Sequence, residues 1–77
     1  MKLFIYSLDK KIFEGDASSV TLPTIDGEIS ILPGHVSVIT TLQKGKIAVA
    51  DKGMVRDFPI HSGFASIDDE NVLVLVK

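Results

Sequence analysis

With 77 residues the chain has room for one domain, near the size at which a single core yields only a few kcal/mol of net stability. It contains no cysteine, which excludes disulfides, thiolate metal sites and redox chemistry on the chain and is compatible with a reducing compartment. Ten acidic residues against eight basic ones, with no basic run, argue against a nucleic-acid face.

The first predicted element is a strand over residues 2–8. Its apolar run, Leu3 to Leu8, follows a single lysine, too short for a signal peptide and far short of the roughly 18 residues that span a bilayer. The chain is therefore expected to stay in the compartment where it is made. Further strands are predicted over 11–15, 17–23, 28–32, 36–42, 46–51, 54–60, 63–68 and 71–77, with turns at Asp9-Lys10, Asp26-Gly27, Lys44-Gly45, Lys52-Gly53 and Asp68-Asp69-Glu70-Asn71. No segment predicts a helix, a linker or a repeat.

Three patterns support this all-β reading. Glycines fall at 15, 27, 34, 45, 53 and 63, a spacing close to the turn interval of sandwiches and barrels. Between them apolar residues alternate with period two: Val36, Val38, Thr40 and Leu42 oppose Ser37, Ile39 and Thr41, while Met54, Arg56, Phe58 and Ile60 oppose Val55, Asp57 and Pro59. Pro59 cannot donate to a ladder, so its strand belongs at an edge or a bulge. The fold predicted is a flattened antiparallel β-sandwich or barrel of about nine to ten short strands.

Two strands break the alternation: Leu3 to Leu8, and Val72-Leu73-Val74-Leu75-Val76 at the end. Antiparallel strands that are apolar on both faces are covered on both faces. One set of alternate residues belongs to the core. The other is apolar surface of the kind a small domain lends to a partner, in keeping with a hydrophobic share of 45% and a mean hydropathy of +0.34.

The middle of the chain, Val20 to Leu42, is predicted as strand, turn, short strand, turn, strand. Pro23 and Gly27 bracket the first break, and Pro33-Gly34 makes the second, since proline presets φ and glycine tolerates positive φ. The result is a glycine-bounded acidic tip carrying Glu28 and a second corner carrying His35.

These residues carry a resemblance. Gly15, Val20-Thr21-Leu22-Pro23, Gly27-Glu28-Ile29, Ile31-Leu32-Pro33-Gly34-His35, Leu42 with Gly45 three on, and Gly63-Phe64-Ala65 resemble the N-terminal β-sandwich domain of the ε subunits of F-type ATP synthases, called δ in mitochondria. The match covers essentially the whole chain. It implies a non-catalytic central-stalk rotor subunit that links γ to the c-ring and transmits rotation in proton- or sodium-coupled ATP synthesis. It further implies a peripheral place on the cytoplasmic face of a bacterial inner membrane, or the organellar equivalent. No cofactor, metal, nucleic acid or small-molecule substrate of its own is implied. The chain departs from the family at Leu8, where most members have proline. It also stops at Lys77, where many continue into a helical hairpin that can restrain ATP hydrolysis, so residues 1–77 are expected to be one sandwich domain without that hairpin.

The resemblance assigns site residues one by one. Asp26, Gly27, Glu28 and Ile29 would form the c-ring-facing tip, with Glu28 pairing an arginine of the c loops; without the resemblance Glu28 is a solvated turn carboxylate. Ser7, His35, Ile39 and Thr40 would lie on the γ-facing surface. Histidine side chains suit acid–base and metal chemistry near neutrality, but the other histidine, His61, is at no metal spacing from His35, and no partner at a motif distance completes a catalytic site. A histidine hydrogen-bonded to backbone at a corner remains the plainer alternative.

The other function class considered is a biotinyl or lipoyl carrier domain, also small and all-β, with a modified lysine at the Asp51-Lys52-Gly53-Met54 hairpin. A free-standing hydrolase lacks a nucleophile and base in a recognisable motif such as Gly-x-Ser-x-Gly.

Overall fold

The computed structural model describes residues 1–34 and 37–77; His35 and Val36, and so the corner predicted at His35 and the first residue of the strand predicted over 36–42, lie outside the described residues. Among those described, nine strands follow one another: β1 Lys2–Tyr6, β2 Lys11–Asp16, β3 Ser19–Thr24, β4 Gly27–Ile31, β5 Val38–Leu42, β6 Gly45–Asp51, β7 Met54–Ile60, β8 Gly63–Ile67 and β9 Asn71–Val76. Each predicted strand is found, with its ends within two residues of the expected ones.

The strands hydrogen-bond in the order β2-β1-β9-β8-β5-β3-β6-β7, with β4 on the free side of β3. The sheet curls at its middle, where β5 meets β3 through the single pair Thr24↔Leu42. This makes two layers, β2-β1-β9-β8-β5 and β4-β3-β6-β7, that share one core. Leu3 and Ile5 of β1, Val72 and Val74 of β9, Val20 and Leu22 of β3, and Ile47 of β6 are completely buried in it. Period-two alternation explains the selection, because every second residue of a strand points to the same side.

Two expectations are corrected. The sheet is mixed rather than wholly antiparallel: β1 and β9 run parallel, Lys2↔Asn71 to Tyr6↔Leu75. Parallel neighbours need a long connection, and here the whole domain lies between the first and last strands. The turn expected at Asp26-Gly27 is Ile25-Asp26, and Pro23, expected as the last residue of its strand, lies opposite Glu28 with Thr24 continuing β3 beyond it. The Pro23 carbonyl accepts the Gln43 N–H at 2.8 Å, so its nitrogen faces the same gap, where β6 has left β3 after Thr21↔Ala48 and β5 joins only at Thr24. No ladder donor is lost there. Gly45 completes the fit, since a Cβ on it would stand 2.9 Å from the Pro23 Cβ.

Pro59 meets its expectation, lying in β7 at the end of the strand order. β7 and β2, the two ends of that order, meet through side chains. The rings of Phe13 and Phe58 stand edge to face at 5.6 Å, and the Arg56 guanidinium lies 5.5 Å and 5.2 Å from their centroids. Each cation–π contact of this kind contributes about 0.5–1 kcal/mol at an exposed site, enough to hold two edges together without backbone pairing.

Candidate functional site

The acidic tip is built around Thr24. This threonine is 2% exposed; its hydroxyl donates to the Gly27 carbonyl and accepts the Asp26 N–H at 3.2 Å. Thr24 thus closes the Ile25-Asp26 turn from below, and Gly27 follows with φ +113, a value that favours glycine. Asp26, Gly27 and Glu28 come together on the surface as expected. Ile29 does not join them: it pairs with Leu22 and packs half-buried against the core. Ile25, 61% exposed, takes the apolar place at the tip instead. The expected turn, Asp26-Gly27, lies one residue later than the observed Ile25-Asp26, which leaves Ile25 out of the expected tip. No ion pair among the described residues involves Glu28, so its carboxylate is free to meet a cation. Replacing Thr24 with valine is expected to cost about 1–2 kcal/mol, because it removes two part-buried hydrogen bonds at the turn, as a drop in urea midpoint with unchanged m-value.

The second surface is the outer side of β5, β8, β9 and β1. Strand register lines up two rows across it: Thr41↔Phe64↔Leu75↔Tyr6, and Ile39↔Ser66↔Leu73↔Phe4. Six of these eight side chains are apolar or aromatic. Ile39 is 75% exposed and Phe64 48%, while Phe4 and Tyr6 are half-buried with ring centroids 6.3 Å apart. This is the uncovered side predicted from the unalternating Leu3–Leu8 and Val72–Val76 runs. At its Tyr6 end an open groove of 1120 Å³ runs beside Ser7, Lys10, Phe64, Leu75 and Lys77.

Three residues of the γ-facing assignment fall within the described chain. Ser7 is half-buried in the β1–β2 turn, its N–H donating to the Lys10 carbonyl at 2.9 Å, and it lines the groove. Ile39 belongs to the apolar rows. Thr40, one residue on, points to the opposite side of β5, opposite the buried Ala65, so one flat surface cannot take both side chains. His35 lies outside the described residues.

At the other end of the outer face Asp68 closes the β8–β9 turn, accepting the N–H groups of Glu70 at 2.9 Å and Asn71 at 2.7 Å. The Glu70 bond first, then the Asn71 bond, holds the Asp68 carboxyl below its ordinary value of 3.8. A carboxyl with a lowered folded-state value contributes stability that is fully present above the unfolded value and lost as pH falls through the folded one. An Asp68→Asn variant is therefore expected to lose less stability than the parent on acidification below pH 3.8, read by urea titration at stepped pH. No group of three His, Cys, Asp or Glu among the described residues could hold a metal ion.

The model of the ATP synthase delta/epsilon chain β-sandwich domain matches residues 1–77. The chain belongs to that family. Among similar proteins, the ATP synthase epsilon chain of Synechococcus sp. (strain RCC307) is 40% identical over 90% of this chain and 51% of its own length. That of Prochlorococcus marinus (strain MIT 9303) is 37% identical over 100% of this chain and 58% of its own. The chain thus spans about half the length of the curated relatives it matches. In three dimensions it superposes on a chain of the Euglena gracilis mitochondrial ATP synthase, solved as OSCP, F1 and c-ring in one rotational state, with a TM-score of 0.90 at 26% identity, covering 96% of this chain and 48% of that one. A central-stalk and c-ring structure of the Tetrahymena thermophila enzyme shares the fold, with a TM-score of 0.81 at 17% identity over 97% of this chain and 61% of that one.

Membership of the delta/epsilon family redefines Lys52. With φ +51 at Lys52 and +81 at Gly53, the two form a tight hairpin between Asp51 and Met54, so Lys52 is explained as a turn residue. The carrier-domain alternative is set aside because one family model accounts for every residue around that hairpin.

Proposed function

We propose that this chain is the β-sandwich of a rotor subunit of an F-type ATP synthase, a non-catalytic body that grips γ and the c-ring and turns with them. The observation that carries this is the family match over residues 1–77, together with superposition on the Euglena chain at a TM-score of 0.90. A curled sheet whose two layers share one buried core suits the task, because such an interior yields little under torque. In this reading residues 1–77 act as one domain, and the complex sits at a membrane surface on the side where γ is found, the cytoplasmic side in a bacterium. It couples rotation to a proton or sodium gradient.

The outer apolar face, with Ser7 and Ile39, is the part proposed to meet γ. Burial of Phe64, Leu73 and Leu75 there would supply affinity in the way apolar interface centres do. Thr40 would act from inside β5, and His35 belongs to this set by resemblance. Asp26, Gly27 and Glu28, with Ile25 beside them, are the proposed c-ring contact. Glu28 facing an arginine would contribute about 0–1 kcal/mol, an orienting interaction more than a binding one.

The test is copurification of tagged chain from a lysate containing assembled synthase. Recovery of γ and c subunits is expected. Ile39→Asp is expected to lose both, because the face that holds γ is broken; Glu28→Arg is expected to keep γ and weaken c-ring retention by up to about fivefold, the equivalent of 1 kcal/mol. Recovery of neither subunit by the parent chain would reject the reading.

A further inference from the structure

We infer that this domain opens along the seam between β2 and β7, and that the Arg56 guanidinium, held against the rings of Phe13 and Phe58, is the latch that keeps the seam shut. The opening belongs to the domain alone and does not rest on the reading above.

The first ground is the bonding around the sheet. Seven of the strand neighbours, β1 with β2, β1 with β9, β8 with β9, β5 with β8, β3 with β4, β3 with β6 and β6 with β7, are joined by ladders of at least three residue pairs. The shortest junction, Thr24↔Leu42 between β3 and β5, is flanked by two main-chain hydrogen bonds, from the Ile25 N–H to the Thr41 carbonyl and from the Gln43 N–H to the Pro23 carbonyl. Between β2 and β7, the two ends of the order, there is no main-chain pairing among the described residues, and side chains alone cross.

The second ground is that the sequence keeps these two edges from zipping together. β7 carries the exposed Asp57 and Pro59, and Pro59 has no N–H to give a ladder. β2 carries Lys11, Glu14 and Asp16, all exposed, and its register with β1 slips between Ile5 and Tyr6, an irregularity of the kind that bends an edge strand away. A groove flanks the aromatic contact on either side. One, of 290 Å³, has Ile12, Pro59, Ile5 and Ile60 among its walls; the other, of 270 Å³, has Asp16, Met54 and Val49. Ile5, Ile60 and Val49 are buried members of the core, so the core reaches the seam at a place that no ladder covers.

The third ground is the latch itself. The Arg56 guanidinium stands 5.5 Å and 5.2 Å from the two ring centroids, and no ion pair among the described residues includes it. Its side chain is exposed, so parting from the rings returns the charge to water and strands nothing. Opening therefore costs the ring contacts and the apolar contact across the gap, while β2 keeps its ladder to β1 and β7 its ladder to β6. Proteins open locally where few contacts resist, and the seam is that place here.

Thiol labelling tests this, since the chain has no cysteine of its own. Val49→Cys and Ile60→Cys each place one thiol in the wall of a different groove, so either can carry the test should the other fail to fold; Val74→Cys, buried in β9 and lining neither groove, is the control. The seam thiols are expected to react with a soluble disulfide reagent at least tenfold faster than the control. Their rates should stay nearly flat in low urea, whereas the control's rises with urea as global unfolding does. Adding Arg56→Gln is expected to speed labelling at the seam about fivefold to thirtyfold, the equivalent of the 1–2 kcal/mol that two such ring contacts supply. Arg56→Lys keeps the charge without the flat guanidinium and is expected to fall between. Seam thiols no faster than the control, seam rates that climb with urea as steeply as the control's, or rates that Arg56→Gln leaves within twofold would each overturn the inference.

Discussion

Alanine at Gly63 is expected to lower the stability of this domain by about 2–4 kcal/mol, in the range of forced overpacking and backbone displacement. Gly63 opens β8 and stands opposite Val76 of β9. A Cβ there would overlap the Leu75 carbonyl oxygen and come within 3.0 Å of the Val76 Cα. Both are backbone atoms of a strand fixed by the buried Val72 and Val74, so neither can rotate away as a side chain would. At about 0.05–0.15 kcal/mol per residue the whole domain has about 4–12 kcal/mol to lose. Thermal melting followed by circular dichroism should show Tm falling by at least about 10 °C; a variant within 2 °C of the parent would contradict the close approach of β8 to β9.

The second large effect is expected at Leu22. Leu22→Ala should cost about 2–5 kcal/mol, the usual range for a leucine removed from a packed interior. Leu22 is completely buried in β3, the strand that pairs with β4, β5 and β6 and so joins the two layers. The cavity would open directly beneath Ile29, its partner in β4, and loosen the acidic tip as well as the core. Ile39→Ala is the control: an equally apolar side chain, 75% exposed, whose removal should stay within about 0.5 kcal/mol. Urea titrations of the two variants with equal m-values make the comparison. Similar costs for both would mean that the outer face is packed in the free domain.

Much of the architecture is visible in the order of residues. Ile47 and Val49 turn inward between Lys46, Ala48 and Ala50 as the alternation requires, and the Lys52-Gly53 hairpin holds Asp51 against Met54. The two unalternating strands announced an uncovered side, and Leu73 and Leu75 are found on it, 38% and 37% exposed. The candidate site was legible only in part. Glu28 and Asp26 could be placed at a tip because a glycine and a turn stood beside them, whereas assigning Ile29 to the same surface ignored the alternation that sends it toward Leu22. Ile39 and Thr40 come to one surface through the resemblance alone, and the pleat sends their side chains to opposite sides of β5.

Residue order by itself determined which segments extend and which side chain of each pair enters the core, because both depend on neighbours one or two positions away. It also determined the family, through spacings such as Leu32-Pro33-Gly34-His35 and Gly63-Phe64-Ala65, matched over residues 1–77. Only the tertiary structure decided that β1 runs parallel to β9, that Pro23 fits inside a strand, and that Phe4, Tyr6, Phe64, Leu73, Leu75 and Ile39 form one face. Those outcomes bring together residues 69 positions apart in the chain, as Phe64, Leu75 and Tyr6 stand side by side. No local periodicity carries a register between strands so distant; it is fixed when the shared core closes and each strand can bury only one of its two sides.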